Sequence, residues 1–76
     1  MATNENVLSA KERVEVELHD TLTRLTNLRK LLKQGSDVVK ERLGLTDEAY
    51  DLLKRQRFIM TDYVNVLRQR LDCWDI

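Results

Sequence analysis

The sequence contains no proline and only one cysteine, Cys73, among its 76 residues. A single cysteine excludes an internal disulfide. Together with the one histidine, His19, it supplies too few ligands for a structural zinc site, which takes four. Only two glycines are present, and each fits the end of a helix rather than a phosphate-binding loop. We therefore expect no catalytic residues, no metal site and no cofactor.

Neither sign of charge is in excess, because 13 Lys and Arg balance 13 Asp and Glu. This balance argues against a nucleic-acid partner or a polybasic membrane binder, since both carry a basic excess. No apolar run approaches the ~20 residues that cross a bilayer. The polar residues 1–6 lack the basic and apolar regions of a signal peptide, and a single cysteine suits a reducing compartment. We expect a cytoplasmic protein with no membrane partner.

Apolar residues recur every three or four positions over most of the chain, which is the spacing of amphipathic helices. Ser9 followed by Glu12 has the form of a capping box, so a helix is predicted to begin directly after Ser9. Gly35 fits the left-handed residue that closes a helix, and Thr46 fits the cap of the next one. The predicted parts of a single domain, 1–76, are a flexible lead-in over 1–8, a first helix over 10–34, a connector over 36–45 that is a loop or a short helix, and a second helix over 47–72.

Two long helices with a short connector predict an all-α fold, an antiparallel two-helix hairpin. A chain of 76 residues forms a small core, which usually needs support from self-association. A hairpin also leaves apolar side chains beside its core uncovered, and such strips mark oligomer or partner surfaces. We therefore expect a homo-oligomer. The candidate oligomer-interface residues are Leu53, Met60, Leu67 and Trp74.

Three polar residues, Gln56, Tyr63 and Arg70, interrupt the apolar stripe of the second helix at intervals of seven. Burying a polar group costs free energy unless it is hydrogen-bonded. These residues therefore either meet partners in a helical interface or line a small polar site. An Arg at such a place needs a carboxylate or an anionic ligand, and the hairpin makes Glu17 its simplest structural partner. Both possibilities stay open on the sequence alone.

A phosphate-bearing ligand is one way to satisfy the arginines, because the guanidinium group presents a planar fork of donors. Tyr63 could stack on a nucleobase. The alternative for the basic residues is a solvated face paired with acids of the first helix. The candidate ligand-binding residues are Gln56, Arg57, Tyr63 and Arg70 on the second helix, and Arg13 and Arg24 on the first.

Both helices carry a recurring pattern of residues, which is Arg13, Val14, Glu17, Asp20, Arg24 and Leu28, then Leu52, Leu53, Gln56, Met60, Tyr63, Val66, Leu67, Arg70 and Leu71. This pattern resembles a family of short, mostly uncharacterised phage proteins, often described as related to a crAss-like phage protein. The chain departs from the family pattern at Thr21, where the family favours Leu, and at Asn27, where it favours Lys. The connector, 33–46, is also longer than is usual in the family.

The resemblance implies a small helical hairpin that acts in the cytoplasm of a host cell. By architecture the chain is also similar to small phage proteins that act as oligomeric sponges for nucleotide signals of bacterial immunity, although a fold alone does not define a function. The hypothesis is a non-enzymatic anti-defence protein that binds a cyclic nucleotide or an ADP-ribose-derived signal. The alternative is a protein–protein interaction module that docks on a host or phage protein.

Overall fold

The computed structural model describes residues 9–74, and these residues form three helices and no strand. The helices are α1 (Ala10–Leu32), α2 (Ser36–Leu43) and α3 (Asp47–Asp72). The all-helical architecture is confirmed, with α1 and α3 packed as a hairpin. Helix α1 ends two residues before the predicted boundary. The predicted lead-in over 1–8 lies outside the described residues.

The core lies between α1 and α3 and is closed at one end by α2. Side chains from all three helices contribute to it at the three-to-four spacing that keeps them on one helical face. Leu25 and Leu67 at its centre are each 1% exposed. The buried apolar residues are Val14, Leu25, Leu28, Val39, Tyr50, Val64 and Leu67.

The predicted capping box at the start of α1 is confirmed. Ser9 N donates to Glu12 Oε1 at 3.0 Å, and Glu12 N donates to Ser9 Oγ at 3.1 Å. The hydrogen bond from the Ser9 backbone is the main reason why the pKa of Glu12 is lowered. Thr46 caps α3 in the same manner, since Ala49 N donates to its Oγ1 at 3.1 Å. Each long helix thus begins at a residue whose side chain satisfies an otherwise unpaired amide.

The two glycines serve different purposes in the connector. Gly44 follows α2 in the left-handed conformation (φ 66°, ψ 36°) and closes that helix as expected. Gly35 also has a positive φ of 97°, but its ψ of 149° is extended. The prediction that Gly35 closes the first helix was therefore wrong in detail, because Lys33 is the C-cap of α1 and Gly35 instead precedes the first turn of α2.

A short ion pair links α2 to the first turn of α3. Lys40 Nζ lies 2.6 Å from Asp47 Oδ1 and 6.0 Å from the centre of the Tyr50 ring. Hydrogen bonding to Asp47 raises the pKa of Lys40, and the same bond lowers the pKa of Asp47. Within residues 9–74, no helix is both long and apolar enough to cross a membrane.

Candidate functional site

A groove runs between the first half of α1 and the second half of α3. It encloses about 350 Å³, near the lower end of the ~300–1,000 Å³ typical of ligand sites. Its residues come from two helical faces that the hairpin brings side by side, each with three-to-four spacing. The residues that line the groove are Ala10, Arg13, Val14, Glu17, Tyr63, Leu67 and Arg70.

Glu17 is the central carboxylate of the groove, and it joins the two long helices. The Tyr63 hydroxyl donates to Glu17 Oε2 at 3.0 Å, and the Thr21 hydroxyl donates to the same oxygen at 3.3 Å. Arg24 Nη2 in turn donates to Thr21 Oγ1 at 3.3 Å. Since both bonds to Glu17 end on Oε2, its Oε1 atom receives no hydrogen bond from the described residues and remains available to an incoming donor.

These contacts explain how Thr21 can be buried. It is 2% exposed, and a buried hydroxyl costs free energy unless it is hydrogen-bonded. Glu17 lies one turn before Thr21 on α1 and accepts a hydrogen bond from the Thr21 hydroxyl, while Arg24 donates a hydrogen bond to the hydroxyl oxygen. A threonine at position 21, in place of an apolar residue, therefore holds the Glu17 carboxylate in position.

The charged and polar groups of the groove affect Tyr63, whose pKa is raised above its usual value. The first cause is the hydrogen bond to Glu17, followed by partial burial and the negative charge of Glu17. Arg70 and Arg24 act in the opposite direction. The phenol therefore stays protonated as a donor to Glu17, in a region where two cationic side chains are close enough to affect it.

Positive charge exceeds negative charge in and beside the groove. Arg13 and Arg70 line it, and Arg24 reaches it through Thr21, whereas Glu17 is the only lining carboxylate. The ion pairs found within residues 9–74 are Lys40–Asp47 and Lys54–Asp51, so none of these three arginines is paired there. The expected partner of Arg70, Glu17, is hydrogen-bonded to Tyr63 instead. A guanidinium group that forms no ion pair can bind an anion without first breaking one.

The structure places the six candidate ligand-binding residues in three locations. Three of them line the groove, and Arg24 contacts it indirectly. Gln56 lies about two turns before Tyr63 and its amide nitrogen contacts Met60 Sδ at 3.7 Å. Arg57 lines a smaller depression of about 180 Å³ with Arg29, Leu32 and Lys33. The three that line the groove are Arg13, Tyr63 and Arg70.

The four candidate interface residues follow the side of α3 that faces α1. Leu67 is buried and the other three, Leu53, Met60 and Trp74, are half-buried within the single chain. Their contact with a second chain stays a prediction. Larger exposed apolar surfaces occur at neighbouring positions of α3, among them Leu52 and Ile59.

Apart from its place in the family resemblance, Glu17 was predicted only as a partner for Arg70. Ala10 and Val14 were not predicted as groove residues, and Leu67 was predicted only as an interface residue. The signal for them was present, because Ala10, Arg13 and Glu17 share one helical face. Among the described residues, no group of three or more His, Cys, Asp and Glu side chains could hold a metal ion.

A family model described as Sequestin matches residues 8–73. The matched region covers all three helices and every residue that lines the groove. No curated protein and no solved structure matches the chain.

Proposed function

The chain belongs to the Sequestin family, and we propose from this membership that it sequesters a phosphate-bearing nucleotide signal in the groove between α1 and α3. The family name indicates a protein that acts by binding a molecule rather than by converting it. The excess of positive charge at the groove supports a phosphate-bearing ligand. Arg13, Arg24 and Arg70 surround a single carboxylate, and none of them forms an ion pair within residues 9–74.

Each polar group of the groove suits one part of a nucleotide. Arg13 and Arg70 would hold phosphate oxygens through charge-assisted hydrogen bonds. Glu17 Oε1, which receives no hydrogen bond from the described residues, would accept one from a ribose hydroxyl. The Tyr63 ring offers a face on which a base can stack. Cyclic oligonucleotides and ADP-ribose derivatives both combine these three parts.

The biological setting of the proposal comes from the resemblance to short phage proteins. A phage-encoded protein that sequesters an immune nucleotide in the host cytoplasm would lower the free concentration of that nucleotide without catalysis. The family name specifies neither the phage origin nor the signal, and both belong to the proposal.

A protein–protein interaction module is the second candidate function, and the exposed apolar side chains of α3 favour it. Leu52, Phe58, Ile59 and Val66 are each at least half exposed. Such strips often mark surfaces that another protein covers. A module of this kind would need no small molecule in the groove.

Isothermal titration calorimetry tests the proposal with cyclic dinucleotides, cyclic trinucleotides and ADP-ribose as ligands, and with inorganic phosphate as the reference anion. We expect at least one nucleotide to bind more tightly than phosphate. Arg70→Ala should weaken that binding ~10–150-fold, because a charge-assisted hydrogen bond contributes ~1.5–3 kcal/mol. Arg68→Ala is the matched control, since Arg68 is exposed on the same helix but does not line the groove.

Two outcomes would overturn the proposal. One is that no nucleotide binds more tightly than phosphate, and a host or phage protein recovered by affinity capture would then favour the interaction module. The other is that Arg70→Ala and Arg68→Ala weaken nucleotide binding equally, because the binding would then depend on general surface charge rather than on the groove.

A further inference from the structure

Helix α3 carries two parallel rows of side chains. One row packs on α1 and α2, whereas the other is largely exposed, although its Tyr63 donates a hydrogen bond to Glu17 of α1. The row that packs on α1 and α2 consists of buried or half-buried side chains. Every member of the second row directly precedes a member of the first, so the two rows are about 100° apart around the helix. The packed row is Tyr50, Leu53, Arg57, Met60, Val64, Leu67, Leu71 and Trp74. The second row, here called the open row, is Ala49, Leu52, Gln56, Ile59, Tyr63, Val66, Arg70 and Cys73.

The open row has the spacing of a coiled-coil seam. Its members alternate between steps of three and four residues along the whole of α3, which is the a/d pattern of a heptad repeat. Yet its large apolar members are exposed: Leu52 by 60%, Ile59 by 58% and Val66 by 50%. These apolar side chains are exposed in the single chain and would be buried if another helix packed along the open row.

We propose that the occupant is the α3 helix of a second copy of this chain, packed antiparallel. A two-fold interface requires a patch that is complementary to itself, and the open row meets this requirement in one register. When the pairing is symmetric about Thr61, Tyr63 lies opposite Ile59 of the second copy, and Arg70 lies opposite Leu52. The ring of Tyr63 and the methylene stem of Arg70 then pack on apolar side chains, while their polar ends remain at the groove.

The charge of Arg70 selects the antiparallel arrangement over the parallel one. In a parallel pair, equivalent positions face each other, so Arg70 would meet Arg70 of the second copy with no carboxylate in the open row. Like charges across an interface are unfavourable. The antiparallel pair separates the two arginines to opposite ends of the interface.

The rotation between the rows also fixes where α1 lies in the pair. Because α1 and the second α3 contact rows about 100° apart, they flank α3 nearly at right angles. The antiparallel two-fold axis places both α1 helices on the same side, and the dimer is a four-helix bundle.

The groove is incomplete in the single chain and is closed by this pairing. Tyr63 and Arg70 belong both to the groove and to the open row. The second copy therefore places Ile59 and Leu52 over the open side of the groove. The pairing itself does not depend on the proposed ligand and can be measured without one.

Sedimentation equilibrium on the ligand-free protein tests the pairing. We expect a dimer at micromolar concentration and a monomer for Ile59→Lys, with unchanged helix content by circular dichroism because Ile59 is largely exposed. Phe58→Lys is the matched control. Phe58 is 61% exposed and adjacent in sequence, but it lies outside the open row, so this variant should remain dimeric. A monomeric wild-type protein, or equal disruption by both variants, would overturn the proposal.

Cysteine cross-linking tests the direction and register of the pair. In the antiparallel pair Cys73 lies opposite Ala49 of the second copy, and the two native thiols are about 36 Å apart along the helix axis at 1.5 Å per residue. A short bis-maleimide should therefore cross-link Ala49→Cys into a covalent dimer. It should not cross-link the wild type or Lys54→Cys, whose added thiol lies outside the open row. Cross-linked wild type would indicate a parallel pair, and unlinked Ala49→Cys would exclude the proposed register; either result overturns the proposal.

Discussion

Tyr63 donates a hydrogen bond of 3.0 Å to Glu17 across the two long helices, although the residues are 46 positions apart in the sequence. The bond lies in the groove, and the carboxylate oxygen that accepts it also accepts from Thr21. Formation of the groove therefore depends on hairpin closure, because neither helix alone brings these groups together.

The first prediction concerns the titration of Tyr63. Its pKa is raised, mainly by the hydrogen bond to Glu17, so folding favours the protonated phenol. This contribution to stability is fully present below the usual tyrosine pKa of ~10 and is lost as the pH rises through the raised value. Glu17→Gln should lower the pKa of Tyr63. Absorbance of the phenolate measures it in a Tyr50→Phe background, where Tyr63 is the only tyrosine. An unchanged titration curve would show that Glu17 does not control this phenol.

The second prediction is that Arg70→Ala changes the free energy of unfolding by less than ~0.5 kcal/mol, as is usual for an exposed residue without a strong partner. Arg70 forms no ion pair within residues 9–74. Were it paired with Glu17 in a buried site, its loss would cost ~3–5 kcal/mol and Glu17→Gln would partly restore stability. Urea denaturation of Arg70→Ala, with and without Glu17→Gln, distinguishes the two cases. Because Arg70 also lies in the open row, the dimer should be dissociated by dilution before the comparison.

The third prediction concerns the core. Leu25 is 1% exposed, so Leu25→Ala should lower the free energy of unfolding by ~2–5 kcal/mol through lost burial and the cavity that remains. Val16→Ala is the control on the same helix, because Val16 is exposed and its truncation should cost under ~0.5 kcal/mol. Chemical denaturation monitored by circular dichroism measures both. Equal losses would mean that the core is not centred on Leu25.

The fourth prediction concerns the connector. Gly44 has a φ of 66° and a Cβ added there would meet no atom within 4 Å. The cost of Gly44→Ala therefore comes from the backbone conformation alone, at ~1–2 kcal/mol. Thermal unfolding should show this loss, whereas Ser36→Ala in the exposed first turn of α2 should have little effect. A neutral Gly44→Ala would show that this position does not need a left-handed residue.

The architecture could be predicted because its signals are local. A capping box at Ser9, a cap at Thr46 and helical spacing between them specify two long helices, and a short connector makes them antiparallel. The conformation at Gly35 was less predictable, because a positive φ serves equally to end one helix or to enter the next. That choice depends on where α2 packs, and packing is not local.

The arrangement within the candidate site was only partly predictable. Helical spacing placed Tyr63 and Arg70 on one face, and the antiparallel hairpin brought them near Arg13. Helical spacing could not decide whether Tyr63 or Arg70 contacts Glu17, because that contact depends on the distance between the helices and on the length of each side chain. Nor could periodicity separate the two rows of α3, since both contain apolar residues at adjacent positions. Only packing on α1 distinguishes the covered row from the open one.

The position of α2 has a practical consequence for use of the protein as a reagent. This helix joins α1 and α3 at the end of the hairpin opposite the groove, about 22 Å beyond Glu17 at 1.5 Å per residue. Its buried Val39 and the Lys40–Asp47 ion pair hold it in place, while Glu41 is exposed. A linker attached at position 41 would therefore immobilise the protein on a resin or sensor chip with the groove directed into solution, which suits a test of the proposed ligands.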